Sequence, residues 1–362
     1  MDLMRRGIIS DDEAMELLKK AGLDGNVDDA VKSDKEKLTY TDKDGYVNHD
    51  VDFADAMKTT FQGVADKLAQ GFKALSKTVD DNVDFTNGFP KVKSTSKIIE
   101  KDLEGEFSKV DLDLKAGQVE VYPGENAHVK VEYKIYGAID EENLDEFLAE
   151  KTVLKVADDV LEISTSDSLR ISADVKLYLP EKEYDKFDFN LTHGDIKFDK
   201  ISVKDLELHQ INGDVDLNAT KHEKLELTTK NGKIRVVDGF VKDLNLDSIN
   251  GDIRLTSEFE SANVTLVNGV ILLTQTTTTA KNLNVRNVNG DIKVAVPEAL
   301  GLVGRVKTVF GGYKTRLKLD NPFEAGRNGA AVVRNGNETL TFELETKSGT
   351  IWLKDTDNSD EN

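Results

Sequence analysis

Four aspartates occupy the same place in a repeated turn, where their carboxylates could form a column of cation ligands. Each directly follows the glycine of a Gly-Asp pair: Asp195, Asp214, Asp252 and Asp291. Oxygen ligands of this kind are the ones that Ca²⁺ prefers. Lys233 and Val270 interrupt the column, and the calcium-binding nonapeptide pattern is absent. Aspartate is also a common turn residue, so we interpret these residues as turn-forming and predict no metal site.

Other chemistry-bearing residues do not form a recognisable catalytic set. His193 and His209 fall on neighbouring repeats, but no local His/Glu ligand motif accompanies them. The chain has no cysteine, no Gly-x-Ser-x-Gly nucleophile elbow and no phosphate-binding glycine loop. The sequence therefore predicts no catalytic residue and no cofactor, and a protein that is not an enzyme.

The charge balance limits the choice of partners. The 48 Lys and Arg residues and 68 Asp and Glu residues give a formal net charge of −20. Such a chain repels the phosphate backbone of nucleic acids. We therefore expect no nucleic-acid partner.

The turn itself recurs along the chain and identifies the elements that hold these residues. Six glycines lie 19, 19, 19, 18 and 21 residues apart, and a seventh repeats the motif near the C-terminus. Five of the seven follow an asparagine, and alternating apolar residues flank each one. These turn residues are Gly194, Gly213, Gly232, Gly251, Gly269, Gly290 and Gly349.

Two β architectures use Asn-Gly turns in this way. A meander or sandwich of hairpins would use them as type I′ turns. A β-solenoid would place them at the corner of each coil, and its coils must have nearly constant length for their apolar residues to stack. The constant period favours a mainly β fold, a β-solenoid of about 19-residue coils over residues 97–354, preceded by a small α-helical region. A disordered tail is expected over 355–362.

The first 80 residues show a different pattern. Residues 1–23 predict a helical hairpin, with a capping box at Ser10 and Glu13. Residues 24–52 are rich in acidic residues and predict a linker.

Residues 53–80 predict one amphipathic helix, because apolar residues are spaced by three or four. Packing against the β-domain or in a coiled coil is the common role of such a helix. The functional alternative is contact with a membrane surface or a cationic peptide. The candidate contact face comprises Phe53, Met57, Phe61, Leu68, Phe72, Lys67 and Lys73.

A family resemblance is carried by two features of the β region. The run Val175-Lys176-Leu177-Tyr178-Leu179-Pro180 is followed by the first Gly-Asp-Ile turn, and later Asn-Gly-Asp-Ile copies fit the same pattern. Over residues 105–354 this resembles the bacterial "putative adhesin" β-strand-repeat family, and residues 5–18 resemble the short helical hairpin often fused before it. The two-part architecture is similar to daptomycin-sensing surface proteins of Gram-positive envelope-stress systems.

That resemblance implies a non-enzymatic envelope-stress sensor or regulator. Its N-terminal helices would contact cationic antimicrobial peptides or the membrane, and its β-domain would bind a regulatory or membrane protein. The alternative is a structural or adhesive surface module that binds carbohydrate or another cell. Trp352 is the only tryptophan, and sugar-binding platforms use exposed rings, so this alternative ranks second.

Localisation follows from the resemblance more than from the residues. The family implies the cell surface or a membrane-associated position. The N-terminus has no apolar segment typical of a signal peptide, and no run reaches the roughly 18 apolar residues that a membrane span needs. A cytoplasmic protein is therefore the alternative.

Overall fold

The fold is known from a computed structural model, which describes residues 39–41, 47–50, 94–136, 141–166, 170–321, 325–326 and 329–356. The predicted helical hairpin over 1–23 and the predicted helix over 53–80 lie outside these residues, as does the tail after Thr356. Of the acidic segment 24–52, two short strands are described, and they pair as an antiparallel hairpin. Part of the predicted linker therefore belongs to the β structure.

Twenty-five strands and one short helix make up the described chain. The first nine strands are β1 (Thr39–Thr41), β2 (Val47–Asp50), β3 (Ser94–Asp102), β4 (Lys109–Ala116), β5 (Val119–Pro123), β6 (His128–Tyr136), β7 (Thr152–Ala157), β8 (Val160–Thr165) and β9 (Ile171–Leu179). Helix α1 (Leu144–Lys151) lies between β6 and β7.

The regular repeats supply the next ten strands. They are β10 (Glu183–His193), β11 (Ile196–Asp199), β12 (Ser202–Asn212), β13 (Val215–Asn218), β14 (Lys221–Asn231), β15 (Ile234–Asn250), β16 (Ile253–Asn268), β17 (Ile271–Gln275), β18 (Asn282–Asn289) and β19 (Ile292–Val296). The last six are β20 (Gly301–Phe310), β21 (Gly312–Thr315), β22 (Ala325–Gly326), β23 (Gly329–Arg334), β24 (Thr339–Ser348) and β25 (Ile351–Asp355).

The strands form a β-solenoid, as the repeat period predicts. Each coil contributes two strands to the solenoid. The strand before the glycine turn belongs to one sheet, which we call sheet A, and the strand after the turn belongs to the other, which we call sheet B. Neighbouring coils pair in parallel with equivalent residues in register, such as Leu206 with Leu225 and Val215 with Ile234. The two sheets are continuous with each other through the long strands β15 and β16.

The core lies between the two sheets, because alternate residues of each strand point inward. Leu208, Leu227 and Leu246 stack in sheet A, and Leu217 and Val236 stack in sheet B, all at most 1% exposed. Each apolar residue therefore covers the equivalent residue of the next coil. A coil of constant length preserves this stacking, which explains the regular period.

The coils at both ends do not follow chain order. At the N-terminal end, β4 and β5 lie between β8 and β9 on one side and β10 and β11 on the other. At the C-terminal end, β24 and β25 lie between β18 and β19 and the outermost coil, β20 and β21. The turn at Gly349, last along the chain, therefore belongs to the penultimate coil.

Antiparallel strands cover the outermost edges of both sheets. In sheet A, β7 pairs with β8 and β23 pairs with β20. In sheet B, β6 pairs with β9 and β2 pairs with β21. An open parallel edge would offer unpaired backbone groups to another chain, so these strands shield the ends of the solenoid.

Candidate ligand-binding face

The turn glycines occupy a position that no other residue can take. All seven have φ between +130° and +153°, a region that side chains disfavour. A Cβ on Gly232 would overlap the carbonyl oxygen of Gly213, and the same relation links each turn glycine to the glycine of the preceding coil. The absence of a side chain at these positions therefore allows the coils to approach closely.

The turn aspartates bond to the backbone of the next coil. Oδ1 of Asp195 accepts the N–H of Asp214 at 2.8 Å, and Oδ1 of Asp214 accepts the N–H of Lys233 at 2.8 Å. Asp252 and Asp291 accept N–H groups in the same way. These bonds join successive coils, and each uses one carboxylate oxygen of the aspartate.

The asparagines that precede the glycines form a hydrogen-bonded ladder. Nδ2 of Asn231 donates to Oδ1 of Asn212 at 2.8 Å, and Nδ2 of Asn250 donates to Oδ1 of Asn231 at 2.8 Å. Asn268 and Asn289 continue the ladder at 2.8 and 2.9 Å. The amides of Asn231, Asn250 and Asn268 thus both donate and accept, so the Asn-Gly turns are stabilised along the stack.

The two histidines on neighbouring coils do not face each other. His193 lies at the start of the asparagine ladder, with Nδ1 3.1 Å from Nδ2 of Asn212. His209 lies on the outer face of sheet A, where its ring nitrogen and the carboxylates of Asp188 and Glu207 lie within 4.8 Å of one another. Nζ of Lys186 lies 2.9 Å from Glu207, so a lysine already neutralises this carboxylate.

The outer face of sheet B carries one row of side chains that crosses ten strands. Register pairing places the row in this spatial order: Lys176, Glu120, Lys197, Asp216, Arg235, Arg254, Leu272, Lys293, Trp352 and Lys314. These residues come from positions 120 to 352 of the chain and meet only because the coils stack.

The two halves of this row differ in charge balance. In the first half, Lys176 pairs with Glu120 at 2.8 Å and Arg235 pairs with Asp216 at 2.6 Å. Hydrogen bonding to Lys176 holds the pKa of the Glu120 carboxyl below its usual range, so this carboxylate stays ionised. The second half contains cations and apolar residues but no acid. We call this second half, Arg254, Leu272, Lys293, Trp352 and Lys314, the Trp352 row.

A groove of about 370 Å³ follows the Trp352 row. Its ten lining residues include three cations and no acid: Arg254, Thr256, Leu272, Leu273, Thr274, Lys293, Val294, Ala295, Trp352 and Lys354. Leu272 is 36% exposed, which is unusual for a leucine on a strand face. We call this feature the Trp352 groove.

Two lysines flank the indole of Trp352. Nζ of Lys314 lies 4.4 Å from the ring centroid and Nζ of Lys293 lies 5.6 Å from it. Such cation–π contacts are worth about 0.5–1 kcal/mol each at exposed sites. They hold the ring and the two ammonium groups together as one basic and aromatic surface.

The contact face predicted on the N-terminal helix cannot be placed. Phe53, Met57, Phe61, Leu68, Phe72, Lys67 and Lys73 all lie outside the described residues. Across the part of the chain that is described, no helix has the length and apolar character needed to cross a membrane. The peptide-sensing role therefore stays a prediction.

The Trp352 groove was missed in the sequence because its residues are distant in the chain. Arg235 and Arg254 share a place in successive repeats, so alignment at the 19-residue period would reveal the start of the row. Lys293 and Trp352, however, are neighbours only because β25 is inserted beside β19.

Parallel coils of near-constant length, glycine corners and an asparagine ladder define a β-solenoid scaffold with a groove on one face. This chain belongs to the Toastrack DUF4097 family, whose model matches residues 107–354. The match begins two residues before β4 and ends at the penultimate residue of β25.

Relatives of the chain include one protein of similar length. A Bacillus subtilis (strain 168) protein, the uncharacterized protein YvlB, is 30% identical over 321 residues, which is 88% of this chain and 85% of that protein.

Solved structures with lower similarity include a "putative adhesin" from Bacteroides fragilis, with 12% identity, coverage of 72% of this chain and 97% of that chain, and a TM-score of 0.33. A "putative lipid binding protein" from Parabacteroides distasonis has 11% identity, coverage of 71% and 96%, and a TM-score of 0.35. TM-scores this low identify no shared function.

Proposed function

We propose that this protein is a non-enzymatic surface module that binds carbohydrate through the Trp352 groove. The observation that supports the proposal is the position of Trp352. The only tryptophan of the chain lies on the outer face of sheet B, beside a groove of about 370 Å³. Aromatic side chains offer an apolar surface for sugar rings, and surrounding polar groups fix orientation.

The side chains around the ring suit a sugar polymer. Leu272 adds a second apolar side chain to the row. It lies two strands from Trp352, with Lys293 between them. Thr256 and Thr274, adjacent on neighbouring strands, offer hydroxyls that can both donate and accept hydrogen bonds. A rigid stacked scaffold fixes these groups before binding, which lowers the entropic cost of association.

A glycan-array measurement on the full-length protein tests the proposal. We expect binding by the wild type and a loss of about tenfold or more in affinity for Trp352→Ala, because a buried aromatic contact is commonly a binding hot spot. Tyr136→Ala is the matched control, since Tyr136 is 40% exposed on β6, away from the groove. An absence of glycan binding, or an equal loss with both variants, would contradict the proposal.

The envelope-stress prediction involves other residues. It assigns peptide or membrane contact to the helix over 53–80 and partner binding to the solenoid. The solenoid can bind carbohydrate through the Trp352 groove and a partner protein through another of its surfaces. Calorimetry with a cationic peptide, on full-length protein and on residues 97–362, distinguishes a peptide site in the N-terminal region from one on the solenoid.

A further inference from the structure

The Trp352 row alternates between cations and apolar residues. Arg254, Lys293 and Lys314 occupy every second strand, and Leu272 and Trp352 lie between them. Strands in a sheet are about 4.8 Å apart, so successive cations are about 10 Å apart across the face. This distance is close to the length of one disaccharide.

We propose that the ligand of the Trp352 groove is an acidic glycan, a sugar polymer that carries one anionic group per disaccharide. The inference rests on the proposed carbohydrate function and adds the charge of the ligand. Such a polymer, lying across the strands, brings one anion to Arg254 and the next to Lys293. The sugar ring between these two anions then lies over Leu272, and the next ring lies beside Trp352.

The electrostatics of the groove support an anionic ligand. Among the described residues, no carboxylate pairs with Arg254, Lys293 or Lys354, whereas in the first half of the same row Glu120 pairs with Lys176 and Asp216 pairs with Arg235. The groove is therefore a locally positive surface on a chain of net charge −20. Cations that an anion can contact without displacing an existing carboxylate give affinity and orientation at low cost.

The spacing of the cations argues against a dense polyanion. Duplex DNA carries one charge per about 1.7 Å of its axis, far more than cations about 10 Å apart can neutralise. The excess charge of such a polymer would face the remaining negative surface of the protein. A sparse anion pattern matches the row and avoids this repulsion.

Trp352 also provides a direct signal, since it is the only tryptophan. We would titrate the full-length protein with three polymers of matched length and follow the fluorescence of Trp352. The probes are hyaluronan, with one carboxylate per disaccharide, neutral dextran, and poly-glutamate, which carries charge without sugar rings. We expect hyaluronan to bind at least tenfold more tightly than dextran or poly-glutamate, and its affinity to fall as salt is raised.

Variants assign the effect to the row. Lys293→Gln should lower hyaluronan affinity about tenfold and should lower the ratio of hyaluronan affinity to dextran affinity. Lys230→Gln, an exposed lysine next to the Asn231-Gly232 turn, makes the same change in net charge and should have no effect. Melting curves of both variants, compared with wild type, confirm that the fold is retained.

The outcomes separate the two proposals. Equal affinity for hyaluronan and dextran, both lost in Trp352→Ala when binding is measured by calorimetry, would retain the carbohydrate function and overturn the acidic-glycan inference. Poly-glutamate binding as tightly as hyaluronan would overturn the inference in favour of a general polyanion surface. No binding of either sugar polymer by the wild type, read both by fluorescence and by calorimetry, would overturn both.

Discussion

Nδ1 of His222 donates a 2.9 Å hydrogen bond to the carbonyl oxygen of Val203, the residue beside it in the neighbouring coil. The ring is 2% exposed, and its Nε2 atom is buried without a hydrogen-bond partner. Val203 and Val241 occupy the same place in the flanking coils. An ionisable group thus lies in an apolar column of the solenoid.

The stability of the protein should therefore depend on pH through His222. Burial lowers the pKa of His222 to about 4, whereas an unfolded histidine has a pKa of about 6.5. The neutral ring is favoured in the fold, so its contribution is complete above about pH 6.5 and is lost as pH falls towards 4. The shift corresponds to about 3 kcal/mol over this range.

Chemical denaturation between pH 4 and 7 measures this effect. His222→Val should retain or exceed wild-type stability at pH 7. The variant places valine beside the equivalent valines of the flanking coils and removes a buried unpaired nitrogen. The stability difference between the variant and wild type should then grow as pH falls. A difference that does not change with pH would contradict the assignment.

The glycine corners should be the positions least tolerant of substitution. Gly232→Ala adds a Cβ that overlaps the carbonyl oxygen of Gly213, and its φ of +146° is also unfavourable for alanine. We expect a loss of about 3 kcal/mol or more in the free energy of unfolding, measured by chemical denaturation.

Gly105→Ala separates the two causes. Gly105 has a φ of +94°, but the nearest atom to its added Cβ is a Val156 methyl at 3.6 Å. It should cost only the conformational penalty, about 1–2 kcal/mol. If the two variants lose equal stability, close approach of the coils is not the cause.

The repeat period made the central coils predictable from the sequence. Each coil from β10 to β19 has its own turn glycine and apolar pairs at nearly fixed spacing, and stacking requires this regularity. His222 could have been identified in the same way, because residues 19 positions away on either side are valines.

The terminal coils could not be ordered from sequence, since their pairing depends on contacts distant in the chain. Gly290 and Gly349 stack directly although 59 residues separate them. Nothing in the local sequence requires β24 and β25 to enter between earlier coils rather than follow them. The Trp352 groove is formed by that insertion, so it was hidden for the same reason.

The asparagine ladder should contribute to stability through donation as well as acceptance. Asn231→Asp keeps the size of the side chain but removes the amide that donates to Oδ1 of Asn212. The new carboxylate would also face that oxygen. We expect a loss of about 1–2 kcal/mol in unfolding free energy. The control is Asn245→Asp, on the outer face of sheet A. The side chain of Asn245 accepts a hydrogen bond from Asn263, and a carboxylate can still accept that bond. Equal losses of unfolding free energy in the two variants would show that donation by the turn asparagine contributes nothing of its own.

A buried ion pair fixes the inserted coil at the C-terminal end of the solenoid. Arg334 on β23 contacts Asp355 at the end of β25, and their side chains are 6% and 4% exposed. The guanidinium also donates to the carbonyl oxygens of Leu300 and Pro297 at 2.9 and 2.7 Å. One side chain therefore connects β23, β25 and the turn between β19 and β20.

Breaking this pair should be costly, whereas replacing it should not. Arg334→Met leaves the carboxylate of Asp355 buried and unpaired. We therefore expect a loss of about 3–5 kcal/mol in the free energy of unfolding. Adding Asp355→Leu removes that charge, so the double variant should recover a large part of the loss. Thermal and chemical denaturation of the single and double variants measure the coupling between the two residues. If the losses of unfolding free energy in the single variants simply add in the double variant, Arg334 acts through its bonds to Leu300 and Pro297 alone. The inserted coil would then be held by backbone pairing and core packing without the ion pair.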